Sequence, residues 1–164
     1  RRCLVGSEMC IRDRIGTDPI VIKDFLQAAE ELGYDFVTFV DHVLGEEAPR
    51  GATFANKYTR DYMFHEVMVL MGYAAAVTQK IGLGTAVMIL PQRQAVLVAK
   101  QAAEIDILSG GRLRLGVGLG WNKVEYDALG MTFGNRAKRF GEQIDVMRKL
   151  WSNRTVEYLS LIHI

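Results

Sequence analysis

Helical periods and short apolar runs alternate regularly along this chain, and this alternation restricts its fold more than any other feature. Apolar residues recur at spacings of three and four, which predicts helices at residues 18–33, about 65–79, about 94–108 and about 136–151. Runs rich in β-branched and apolar residues predict strands at residues 36–40, 81–90 and 113–119. Strands and helices that alternate in this way pair in parallel through right-handed crossovers, so the predicted class is α/β.

Two architectures fit this order of elements: an open, doubly wound parallel sheet and part of a closed (β/α)8 TIM barrel. Both cover the sheet with helices, and the predicted strands are accordingly apolar on both faces. A complete barrel needs about 250 residues, whereas the chain has 164. As a barrel, the chain would supply about the first four βα units, roughly half of the whole.

The two ends lack the patterns of the remaining sequence. Residues 1–14 show neither a helical nor a strand period, and they lack the apolar centre of a secretion signal. Residues 159–164 form an apolar tail with no cap or turn before it. We therefore expect a non-native leader at residues 1–14, a native domain at 15–158 and a non-native tail at 159–164.

Composition argues against several function classes. The formal net charge is +1, so no strong field favours nucleic acid or an anionic membrane as a partner. The longest apolar stretch, near residues 67–77, is interrupted by Gly72 and is too short to span a bilayer. Cys3 and Cys10 form neither a zinc motif nor a disulfide framework. We expect a cytoplasmic protein with a small-molecule substrate and no metal.

Ligands of both architectures bind at the carboxyl ends of the strands, where polar residues are candidates for chemistry. Asp41 and His42 follow the first predicted strand, and a histidine there could transfer protons near neutral pH. Alternatively, the histidine makes only local hydrogen bonds in a loop. The arginines at the ends of the later strands, Arg93, Arg112 and Arg114, are interpreted as surface or strand-end charges.

Two glycine-containing segments occupy the corresponding ends of the later strands. Residues 84–87 read GTAV, which indicates either a close approach of a flat ligand to the backbone or a tight place in the packing. Residues 116–122 read GVGLGWN, which is G-x-G-x-G and not the dinucleotide fingerprint G-x-G-x-x-G. Glycines that let the backbone touch an aromatic ring system are the favoured interpretation, and Trp121 either walls a pocket or packs beneath the loop.

Residues 91–130 (PQRQAVLVAKQAAEIDILSGGRLRLGVGLGWNKVEYDALG) closely resemble the luciferase-like monooxygenase superfamily, and within it the oxidoreductases that use the deazaflavin coenzyme F420. The upstream segments AAEELGYDFVTFVDHV and FHEVMVLMGYAAAVTQKIGLGTAVMILPQRQ agree, so the likeness covers about residues 18–151. The resemblance implies a (β/α)8 barrel and a reaction that passes a hydride between a flavin or deazaflavin ring and a substrate.

The resemblance also implies roles for particular residues. In the sugar-phosphate dehydrogenase branch, an Asp-His pair after the second strand lies beside the deazaflavin, and this pair is similar to Asp41-His42, with His42 as the acid. A non-proline cis peptide in that branch lies in a Gly-Thr-Ser-Val run, which is similar to residues 84–87 and implies a cis Ala86–Val87 bond behind the ring.

The chain departs from that branch at three positions. Trp121 stands where the branch has a glutamate, and Ile89 and Val124 stand where it has a cofactor-binding threonine and asparagine. These departures argue against a sugar-phosphate substrate and favour a more apolar pocket. The first strand is expected to be missing or replaced by residues 1–14.

The hypothesis from the sequence is therefore part of an F420-dependent oxidoreductase that acts on a small organic substrate, with His42 as its catalytic residue. The predicted cofactor contacts are Asp41, Ala86, Val87, Gly118, Gly120, Trp121 and Asn122. The alternatives are an FMN-dependent monooxygenase of the same family, a non-catalytic flavin-binding protein and an inactive fragment. We expect a homodimeric parent protein.

Overall fold

The structure is a computed structural model, and it describes residues 8–11, 15–45 and 62–160. Its elements in chain order are β1 (Glu8–Ile11), α1 (Pro19–Glu31), β2 (Phe36–Phe39), α2 (Val67–Val77), β3 (Gly82–Thr85), β4 (Met88–Ile89), a 3-10 turn (Leu90–Gln92), α3 (Ala95–Ser109), β5 (Leu113–Arg114), β6 (Val117–Gly118), α4 (Lys123–Ala128) and α5 (Arg136–Ser152). The predicted helices correspond to α1, α2, α3 and α5, and the predicted elements follow one another in the predicted order.

Every strand pair among the described residues is parallel, which confirms the α/β class. Four strands form one sheet in the order β1-β2-β3-β5, and β4 pairs with β6 in a second, two-stranded sheet. The sequence predicted continuous strands at 81–90 and 113–119, and this was wrong in detail, because each is divided in two. Both breaks lie at the same level, so the short sheet of β4 and β6 follows directly after the longer one.

A strand that the sequence analysis did not predict occupies one edge of the larger sheet. β1 runs parallel to β2, with Glu8 opposite Phe36 and Ile11 opposite Phe39. Residues 8–11 show no alternation of apolar and polar residues that would predict a strand. They form a strand because they pair with β2. The interpretation of residues 1–14 as a leader stays a prediction, and the other residues of that segment lie outside the described part.

Helix α1 shows how local signals set an element that the core then uses. The Asp18 side chain accepts a hydrogen bond of 2.8 Å from the amide of Ile20, and proline takes the first helical position. Leu26 and Ala29 are buried on the inner face. Gly33 follows the helix with φ of +80°, a conformation in which a side chain would be strained.

Helix α2 is apolar on most of its surface because it lies in the middle of the helical layer. It contacts both α1 and α3, and its buried residues are Val67, Met68, Leu70, Met71, Ala74 and Ala75. No helix in the described part of the chain is long and apolar enough to cross a membrane.

Two charged side chains fasten the chain where α2 leads into β3. The Glu30 carboxylate accepts hydrogen bonds from the amides of Gln79, Lys80 and Ile81, and these bonds lower its pKa although partial burial acts to raise it. Arg112 donates to the carbonyls of the same connection, including that of Ile81 at 2.8 Å. Arg112 stands at a strand end, directly before β5, as one predicted alternative had it, but its guanidinium binds inward.

Candidate active site

The three segments singled out from the sequence meet at the carboxyl ends of β2, β4 and β6. Asp41 and His42 follow β2, and the Asp41 carboxylate accepts a hydrogen bond of 2.8 Å from the amide of Ile89 in β4. Ile89 lies opposite Gly118 of β6. The His42 and Trp121 rings are 6.1 Å apart between centroids. One surface therefore carries residues from all three segments.

A buried ion pair holds this surface together. Asp41 is 2% exposed, and its carboxylate accepts a hydrogen bond of 2.7 Å from Nη2 of Arg93. Nη1 of the same arginine donates to Glu66 at 2.8 Å. Glu66 also caps α2 by accepting from the amide of Val69. Arg93 thus joins the ends of β2 and β4 to the start of α2.

Arg93 remains a cation in this setting. Burial lowers the pKa of its guanidinium, but hydrogen bonds and charges from Asp41 and Glu66 outweigh burial and raise the pKa above its ordinary value. Its side chain is only 16% exposed. Of the two predicted alternatives, a surface charge is wrong and a strand-end position holds, because Arg93 follows β4 and its turn with its side chain largely buried against Asp41.

His42 lies among aromatic rings and is held by an acid from a different segment. Its Nδ1 is 3.1 Å from Oε1 of Glu125. The Phe64 ring lies 4.9 Å away, tilted by 48°, and Trp121 meets it edge to face. The side chain of His42 is 8% exposed. These contacts fix the imidazole plane without surrounding it completely.

Glu125 is a functional candidate that the sequence analysis missed. Its carboxylate also accepts from the amides of Val43 and Leu44, and from Nε2 of Gln92 at 3.1 Å. Burial raises the pKa of Glu125, but the hydrogen bonds from His42, Gln92 and the backbone, with the electrostatic interaction with His42, outweigh burial and lower the pKa below its ordinary value. The local signal was Asn122-x-x-Glu125, the spacing of a capping box at the start of a helix.

Ala86 and Val87 form an exposed step between the buried strands β3 and β4. The peptide between them is cis, as the resemblance implied. The amide of Ala86 donates to the carbonyl of Phe39 at 2.9 Å, which ties the step to β2. Val87 is 42% exposed, whereas Met88 beside it is fully buried. The side chain of Val87 is therefore available at the carboxyl end of the sheet.

The glycines of the 116–122 segment have a packing reason in the structure. A Cβ on Gly118 would lie 2.6 Å from Cγ2 of Val87, and one on Gly120 would lie 2.5 Å from Cγ2 of Ile89. Gly120 also has φ of +67°. Both glycines therefore allow β6 and its continuation to approach β4 closely. Their assignment as cofactor contacts stays a prediction.

Trp121 and Asn122 stand at the rim, where α4 begins. Trp121 is 51% exposed. Asn122 is buried and caps α4, its side-chain oxygen accepting from the amide of Val124 at 3.0 Å. Its side-chain Nδ2 is buried without a hydrogen-bond partner. The short helix α4 was not among the helices predicted from the sequence.

The acid-paired histidine lies at the carboxyl ends of parallel strands, which is where parallel α/β folds bind their ligands. The family model for luciferase-like monooxygenases matches residues 7–160, and the chain belongs to this family. The resemblance to the luciferase-like monooxygenase superfamily, predicted from the sequence, is thereby confirmed.

Two relatives each match about four fifths of this chain. The chain is 33% identical over 137 residues to an uncharacterised protein of Mycobacterium tuberculosis (strain ATCC 25618 / H37Rv), covering 80% of this chain and 48% of that protein. It is 34% identical over 139 residues to pyrimidine monooxygenase RutA of Stutzerimonas stutzeri, covering 79% of this chain and 35% of RutA. The chain thus spans half or less of the length of these relatives.

Solved structures with the same fold use both cofactors. An F420-dependent secondary alcohol dehydrogenase matches with a TM-score of 0.74 and 21% identity, covering 96% of this chain and 44% of that one. A second match is the oxygenating constituent of 3,6-diketocamphane monooxygenase from Pseudomonas putida, in complex with FMN. Its TM-score is 0.74 at 16% identity, and the match covers 96% of this chain and 42% of that one. These matches confirm a partial luciferase-like barrel and leave both cofactors as candidates.

Proposed function

We propose that this chain forms the first half of the barrel of a coenzyme F420-dependent oxidoreductase that passes a hydride between the deazaflavin and a small, largely apolar organic substrate. The observation that carries the proposal is His42, fixed by an ionised carboxylate beside an exposed apolar surface at the carboxyl ends of the strands. Hydride transfer to or from an alcohol or carbonyl carbon requires a partner that exchanges one proton, and a histidine serves this purpose near neutral pH.

The residues present fit a flat ring with one polar edge. Val87 and Trp121 expose 42% and 51% of their surfaces, and Leu119 exposes 39%. Apolar side chains so exposed around one site are typical of a ligand-binding surface. The buried amide nitrogen of Asn122 has no partner and would suit a ring carbonyl. We propose that Ala86 and Val87 support the ring while Trp121 and Asn122 bound it.

When bound, the deazaflavin supplies the carbon that accepts or returns the hydride. His42 takes the hydroxyl proton of an alcohol substrate as the neighbouring carbon is oxidised, and returns it in the opposite direction. Phe64 and Trp121 flank the imidazole and reduce access of water to it. Asp41 does not exchange the proton in this scheme, because its carboxylate is bound to Arg93 and to the amide of Ile89.

The alternative is an FMN-dependent monooxygenase, which would act with reduced FMN and O2. The similarity to pyrimidine monooxygenase RutA, at 34% identity, favours this candidate. The same apolar surface would support either ring. The two candidates differ in what they bind and in whether oxygen enters the product.

The test uses the complete enzyme that contains this chain, titrated separately with F420 and with FMN while cofactor fluorescence is followed. We expect F420 to bind and to be reduced or oxidised with a panel of small alcohols and ketones. Replacement His42→Ala should lower turnover by roughly 10²–10⁴-fold, the usual contribution of general acid–base catalysis. His65→Ala is the matched control, because that ring bonds to the backbone carbonyl of Gly16 and not to a carboxylate of the site.

Wild-type turnover in His42→Ala would show that the role given to this histidine is wrong. Binding of FMN alone, with O2-dependent product formation, would replace the proposal with the monooxygenase alternative. Binding of either ring without turnover would indicate a non-catalytic flavin-binding protein.

A further inference from the structure

The carboxylate of Glu125 gathers hydrogen bonds from two different elements. Oε1 lies 3.1 Å from Nδ1 of His42 and accepts from the amides of Val43 and Leu44 at 2.9 and 3.3 Å. Oε2 accepts from Gln92 at 3.1 Å. The side chain is 1% exposed. A buried carboxylate with this many donors is held in one orientation.

The chemistry of this carboxylate decides where the hydrogen of His42 resides. An ionised carboxylate only accepts hydrogen bonds, so a contact of 3.1 Å requires the hydrogen to be on Nδ1. The lowered pKa of Glu125 agrees with an ionised group at neutral pH. A neutral imidazole carries one hydrogen, so the other nitrogen, Nε2, is then the basic one.

We infer that Glu125 is the positioning residue that fixes His42 as the Nδ1–H tautomer, so that His42 exchanges its catalytic proton through Nε2; this role rests on the proposed function. Asp41 does not supply this carboxylate although it adjoins His42 in sequence, because Arg93 engages it. The acid comes instead from α4, 83 residues further along the chain. The same carboxylate anchors the backbone after the histidine, so that ring and backbone are oriented together.

A merely structural glutamate would anchor the loop without affecting the tautomer, and Glu125→Gln separates the two roles. The amide retains one oxygen that can accept from the backbone amides, but it loses the charge and offers a hydrogen of its own to Nδ1. Glu104→Gln is the matched control, because that side chain is half exposed on α3.

The first measurement is the tautomer of His42, read from ¹⁵N chemical shifts of the complete enzyme at alkaline pH, with the signal assigned by its loss in His42→Gln. We expect Nδ1–H in the unchanged enzyme and in Glu104→Gln, and a mixture of tautomers in Glu125→Gln. This measurement needs no turnover, so it remains informative even when the proposed reaction is wrong. An Nε2–H tautomer in the unchanged enzyme would overturn the inference.

The second measurement is steady-state kinetics with the substrate found for the enzyme. We expect Glu125→Gln to lower kcat by at least about 10-fold and to leave KM nearly unchanged. The decrease should not exceed the roughly 10²–10⁴-fold that general acid–base catalysis contributes as a whole. Glu125→Asp keeps the charge and should retain the Nδ1–H tautomer, and it replaces the amide variant when that protein does not fold by circular dichroism. An unchanged tautomer and kcat in Glu125→Gln, or loss of the tautomer in a folded Glu125→Asp, would contradict the inference.

Discussion

Replacement of Arg93 by methionine tests whether the buried ion pair, rather than the aromatic surface, holds the site together. Methionine fills much of the same volume but removes the guanidinium donors to Asp41. That carboxylate is 1% exposed and would keep only the amide of Ile89 among the partners described above. Removal of one partner from a buried pair typically costs about 3–5 kcal/mol, because the remaining charge has neither water nor a counter-ion. We therefore expect Arg93→Met to lower the free energy of unfolding by about 3–5 kcal/mol.

Glu66→Gln is the matched control for the same network. Glu66 is 44% exposed, so solvent screens its pairing with Arg93, and loss of its charge should cost about 0–1 kcal/mol. Its side-chain oxygen still caps α2 in the variant.

The measurement is urea unfolding followed by far-UV circular dichroism, with the slope of the transition compared between variants. Asp41→Asn should recover part of the loss in an Arg93→Met background, because it removes the unpaired charge. A cost for Arg93→Met no larger than that for Glu66→Gln would refute this reasoning.

Two further predictions concern glycine packing and acid stability. Gly118→Ala should lower the unfolding free energy by about 1–3 kcal/mol and weaken cofactor binding, since its Cβ would lie 2.6 Å from the valine that faces the candidate ring; Gly134→Ala, which has open space around it, should change neither. Because the folded-state pKa of Glu125 is lowered, its stabilising contribution is present above pH 4.5, its ordinary value, and is lost as pH falls through the lower folded-state value. Acid titrations should therefore show a weaker decline in stability for Glu125→Gln than for the unchanged protein, and equal slopes would contradict the assignment.

Much of the fold could be predicted from the sequence because its signals are local. The cap at Asp18, the glycine after α1 and the apolar spacing of the helices act within one or two turns, so they can be read without knowing any partner. The position of His42 after a buried strand was also local information, and parallel topology places strand ends on one face. The resemblance contributed the cis peptide at Ala86–Val87.

Tertiary structure decided which charged groups meet. Arg93 binds Asp41 across 52 residues, and Glu125 binds His42 across 83, and no spacing in the sequence distinguishes these pairs from surface charges. The strand at residues 8–11 forms through its pairing with β2. Glycine is needed at 118 because Val87, directly before the neighbouring strand β4, occupies the space that a side chain would need. Long-range pairing depends on where the chain returns in space, whereas caps and periods depend only on neighbours along the chain.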